Sequence, residues 1–72
     1  MMCTDTAGAS KMIGVSRVTI WTWRETGRLT QIHRGSKILI PLRDIAKIMG
    51  VTQKELLSIA DSKGANVWQV KV

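Results

Sequence analysis

Seventy-two residues, 44% hydrophobic and 22% charged, describe one small folded domain near the lower limit for a core that stands without staples. Eleven Lys and Arg against five Asp and Glu give a formal net charge of +6, which points to an anionic partner. One cysteine and one histidine exclude an internal disulfide and a zinc-ligand set.

Cys3 reads as an apolar or frayed N-terminal residue. Thr4 or Asp5 is placed to cap a first helix running to about Ile13. Gly14 breaks that helix, and Ser16 caps a second, Arg17 to Thr26, which Gly27 ends. In "LTQIHRGSKILIP", Gly35-Ser36 supplies a two-residue hairpin turn between strands near 30–34 and 37–40. His33 falls in that hairpin as a strand or turn residue. Ile38-Leu39-Ile40 is apolar on both faces, so this strand is expected to be covered on two sides, and Pro41 ends it. A third helix runs from Leu42 to Met49, with Asp44 in the first turn where an acid suits the helix dipole. A fourth runs from Gln53 to Lys63, before Gly64. The segment "NVWQVKV" alternates like a strand, with Trp68, Val70 and Val72 on one face.

The chain repeats itself. "SKMIGVSRVTIW" (10–21) and "AKIMGVTQKELL" (46–57) align without gaps at a spacing of 36 residues. With no Pro/Gly/Ser linker between the halves, residues 1–72 form one domain, a 4–41 part followed by a 42–72 part. Charge divides unevenly between them. Residues 1–43 hold seven Lys and Arg against two acids, and residues 44–72 hold four against three.

Each half reads helix, glycine turn, helix. The pattern resembles the helix-turn-helix of bacterial and phage DNA-binding proteins, and Ala9, Ser10, Ile13, Gly14, Val15, Ile20 and Trp23 meet it. Ile45, Ala46, Met49, Gly50, Val51, Leu56 and Ile59 meet it again. At about 100° per residue from Arg17, Trp23 lies near 240° and Ile20 near 300°, on one face. Trp21 near 40°, Val18 near 100° and Thr22 near 140° lie opposite. Trp23 is therefore expected in the core, and Trp21 on an outer face with Arg17, Val18 and Thr22. The alternative is that Trp21 fills a gap beneath the hairpin or the C-terminal strand.

The order of helix pair, hairpin with "RGSK" at its tip, and "LRDIAKIMG" resembles the winged helix-turn-helix of the MerR-like superfamily, most closely the small excisionase-type proteins. The resemblance spans about residues 6–49 and lapses after residue 50, where the second helix pair appears. It implies a mainly α fold with a small β-hairpin wing. It also implies major-groove contacts from the second helix and backbone or minor-groove contacts from the wing. By position these fall on Ser16, Arg17, Val18, Trp21, Thr22 and Arg24, and on Arg34, Ser36 and Lys37. Gly8 departs from the pattern, weakening the first helix by about 1 kcal/mol relative to alanine.

The second copy is expected to pack rather than to read DNA. Its apolar arc, Ile59, Leu56, Ala60 and Leu57, is wider, and Gln53, Lys54, Leu57, Ser58 and Asp61 would form its outer side. No carboxylate pair, no nucleophile with a base and no phosphate-cradling glycine loop is evident, so no enzyme activity and no cofactor are expected. No apolar run approaches the roughly 18 residues of a membrane span and no signal peptide is visible, so the cytoplasm is the default.

Three functions fit. One is an excisionase that binds double-stranded DNA beside an integrase or recombinase, with weak self-association or cooperative loading raising its affinity. The second is a small transcriptional regulator with the same DNA chemistry. The third is a protein-interaction module using Trp21, Leu57 and Trp68.

Overall fold

In a computed structural model, described for residues 1–71, the chain runs β1 (Met2–Thr4), α1 (Thr6–Ile13), α2 (Arg17–Glu25), β2 (Ile32–Arg34), β3 (Lys37–Pro41), α3 (Leu42–Met49), α4 (Gln53–Lys63) and β4 (Trp68–Gln69). The caps explain the helix boundaries. The Asp5 carboxylate accepts from Gly8 N at 2.7 Å, and Ser16 Oγ accepts from Thr19 N at 3.2 Å. Thr52 and Glu55 form a reciprocal capping box at the start of α4. Gly14 and Gly50, 36 residues apart, both take the left-handed conformation, at φ 82° and 71°. The sequence repeat is thus a structural repeat, with α1–α2 and α3–α4 turning at equivalent glycines. Helix α2 stops at Glu25, with Thr26 outside it as the C-cap.

The four strands form one antiparallel sheet in the order β2-β3-β1-β4. Ile32 stands opposite Leu39, Thr4 opposite Ile40, and Met2 opposite Gln69. The fold is therefore mixed α/β, where a mainly α chain with a hairpin wing and a short C-terminal strand was expected. Strand β1, three residues long, is too short to show alternation in sequence, and β4 is the Trp68–Gln69 part of the expected C-terminal strand; together they extend the hairpin into a sheet. Strand β2 is also shorter than the expected 30–34. Thr30 N donates to the Asp44 carboxylate at 2.7 Å, and the Gln31 amide reaches Arg24 O at 3.4 Å. Pro41 is the last residue of β3, opposite Cys3, and α3 begins directly after it.

Strand β3 is covered on both faces. Ile40 joins Ala9, Met12, Ile20, Leu42, Ile45 and Leu56 in the main core between sheet and helices. Leu39 joins Cys3 and Val70 in a second cluster on the other side, with Ile32 and Trp68 packed against it. Val72, expected to share the Trp68–Val70 face, lies outside the described residues.

Gly8 has a local reason. A Cβ there would run into Thr4 Oγ1, whose hydroxyl donates to Asn66 O at 2.6 Å. The propensity lost in α1 lets the helix start pass close to β1.

Candidate nucleic-acid interface

Helix α2 has two chemically distinct sides. Its inner side carries Ile20, fully buried, and Trp23, half-buried against the main core. The Arg28 guanidinium lies 4.8 Å from the Trp23 ring centroid, so a cation borders the indole that was expected to be enclosed in the core. The outer side carries Arg17, Val18, Trp21 and Thr22, all exposed. Trp21 does not fill a gap beneath the hairpin: it is 54% exposed, and Val18 is 72% exposed.

The turn before α2 is fastened from α1, because Ser10 Oγ donates to Val15 O. Ser16, at the N-cap, has its hydroxyl against Thr19 N and 3.1 Å from Thr19 Oγ1. The Thr22 hydroxyl donates back to Val18 O at 3.0 Å, the usual alternative for threonine within a helix. What remains outward at Thr22 is largely its methyl group.

Arg24 does not join this outer side. One of its terminal nitrogens donates to Thr6 Oγ1 at 2.9 Å, and its Nε is buried without a hydrogen-bond partner. The helical angle carries the signal: seven residues beyond Arg17, Arg24 falls near 340°, beside Ile20. It meets the wing instead. Arg24, Ser36 and Lys37 line one shallow notch with Asp5, Thr6 and Ile38, between the start of α1, the end of α2 and the hairpin tip.

The wing tip is exposed at Arg34, Gly35, Ser36 and Lys37. Two of its cations also touch the C-terminal segment, which the sequence did not suggest. An Arg34 terminal nitrogen donates to Lys71 O at 3.3 Å, and the Lys37 ammonium stands 5.2 Å from the Trp68 ring centroid. Among the described residues the only ion pair is Arg43–Asp44, at 4.0 Å. Among the described residues, Arg17, Arg24, Arg28, Arg34 and Lys37 thus have no carboxylate within ion-pair distance, and several rest on rings or carbonyls.

In the second helix pair, Leu56 and Ala60 of α4 are buried, and the helix packs against α1 and α3. Gln53, Lys54, Leu57, Ser58 and Asp61 face outward, with Leu57 39% exposed. Cys3 is fully buried, and burial raises its thiol pKa above the ordinary 9.0 against the opposing pull of the N-terminal ammonium, Arg34 and Arg43. No helix among the described residues is long and apolar enough to cross a membrane. Comparison of the chain with protein-family models, curated proteins and solved structures finds no match.

Proposed function

We propose that this chain is a sequence-specific double-stranded DNA-binding protein built as a winged helix-turn-helix. In this reading α1 and α2 are the helix pair, α2 enters the major groove, and the β2–β3 hairpin is the wing. The observation that carries it is the outer side of α2. An arginine, a valine, a tryptophan and a threonine stand exposed on a helix whose other side is anchored in the core. Cations without an ion-pair partner among the described residues flank that helix and the hairpin tip.

Such a surface suits a polyanion whose groove admits a helix. Arg17 is the hydrogen-bonding reader, and Arg34 and Lys37 meet backbone phosphate. The resemblance to excisionase-type proteins makes the biological role an excisionase working beside an integrase or recombinase. A transcriptional regulator would use the same contacts.

Fluorescence anisotropy of a labelled random-sequence duplex over a salt series tests the reading. Binding with log affinity falling linearly in log salt, by about 0.9 per phosphate contacted, supports it. Absence of duplex binding at low salt overturns it and leaves a protein-interaction module.

A further inference from the structure

Among the described residues, three large apolar side chains are exposed, and two of them, Val18 and Trp21, lie one turn apart on α2. Thr22 completes the patch at the i, i+3, i+4 spacing that brings side chains together on a helix. Its hydroxyl proton is already given to Val18 O. Arg24, the other arginine of the helix, is turned toward Thr6. The outer side of α2 therefore offers apolar surface with Arg17 and the Trp21 indole N–H as its main proton donors and the exposed Glu25 carboxylate at its C-terminal end. A surface so poor in donors is suited to an apolar feature of its partner.

Duplex DNA has one such feature in the major groove, the C5-methyl of thymine. On the reading that this protein binds DNA, we propose that α2 adds thymine methyl contacts, made by Val18 and Thr22 beside Trp21, to what Arg17 reads in selecting its site. Charge complementarity brings the two surfaces together, because the flanking cations draw the helix to the phosphates. Methyl burial then discriminates among the sequences the helix meets. Each methyl brought against Val18 or Thr22 is worth about one buried CH₂, or roughly a fourfold change in affinity. The Thr22 methyl can act without loss of the helix bond to Val18 O, so contact and local structure do not compete.

The experiment starts from a random-sequence duplex pool from which the wild-type protein selects its preferred site. Each thymine of that site is then replaced by uracil, which removes only the methyl. Expected are one or two positions where uracil weakens binding about fourfold each. At the same positions, 5-methylcytosine opposite guanine should recover part of the affinity lost by a plain cytosine. The double variant Val18→Ala/Thr22→Ser, which keeps the Thr22 hydroxyl chemistry, should bind the thymine and uracil sites equally and melt like wild type. Equal binding of thymine and uracil sites by the wild-type protein overturns the inference while leaving DNA binding in place. So does a thymine preference that survives in the double variant, which would reflect duplex shape. A pool that yields no bound duplex removes both.

Discussion

Trp21 and Trp23 sit two residues apart and live in different surroundings. Trp23 contacts the main core and the Arg28 guanidinium, whereas Trp21 contacts mostly solvent. Trp23→Ala should cost about 2–3 kcal/mol, below the 3–5 of a fully enclosed tryptophan, because part of its surface is already outside the core. Trp21→Ala should leave the melting temperature within a degree or two of wild type and weaken duplex binding. Thermal melts in the reverse order contradict the division. Arg17 and Arg24 form a second contrasting pair. Arg17→Ala should leave the melt unchanged and reduce discrimination between preferred and random duplexes by about 1–3 kcal/mol in competition binding. Arg24→Ala breaks the bond to Thr6 and should lower stability by about 1 kcal/mol, with no selective loss at the preferred site. The helical angle places Arg24 inward, whereas positional likeness to a family's recognition helix places it outward. The angle agrees with the structure because side-chain direction on a short helix follows from its geometry.

At the level of elements, the hairpin raises the question of whether its charges act or idle. Arg34 and Lys37 are held by Lys71 O and the Trp68 ring, contacts that fix the tip without removing charge. Replacing both with alanine should weaken preferred and random duplexes by similar factors and reduce the salt slope by up to about two units. Parallel salt lines for wild type and variant would exclude the wing from the interface. The helices were largely legible in the sequence because their ends are chemical: Asp5, Ser16 and Thr52 cap, and Gly14, Gly50 and Gly64 terminate. The sheet was only half legible. Gly35-Ser36 announces the β2–β3 pair locally and the alternation in "NVWQVKV" announces the strand that includes β4, whereas β1 and the pairing of β1 with β4 depend on partners far away in the chain. The outer side of α2 was readable from periodicity, but the engaged Thr22 hydroxyl and the hold of the C-terminal segment on the wing depend on tertiary contacts.

For the whole molecule, Cys3 reports on integrity. It lies between β3 and β4 at the centre of the small second cluster, fully buried. A thiol reagent should label it slowly in the native protein and at once in denaturant. Its pKa is raised on folding, so the folded chain keeps the thiol proton where the unfolded chain releases it. The stability this contributes is complete below the unfolded value of 9.0 and is lost as pH rises through the folded value. Denaturant titrations above pH 9.0 should therefore show stability falling more steeply for wild type than for Cys3→Ala. Equal slopes would mean that the thiol titrates alike in both states.

The pairing of β1 with β4 joins Met2 to Gln69, with Met1 N donating to Val70 O at 2.9 Å beyond it. Nearly the whole chain lies within the loop this contact closes. Closure over such a separation gains nothing until the helices have brought the strands together, so the β1–β4 ladder is expected to assemble after the folding barrier. Interactions formed late act on the rate of escape from the native state rather than on the rate of reaching it. Weakening the ladder, for instance by Val70→Pro, which removes the N–H given to Met1 O at 2.7 Å, should then leave the refolding limb of a chevron in place and raise the unfolding limb. The two-residue strand at the sheet edge would set how long each folded molecule persists.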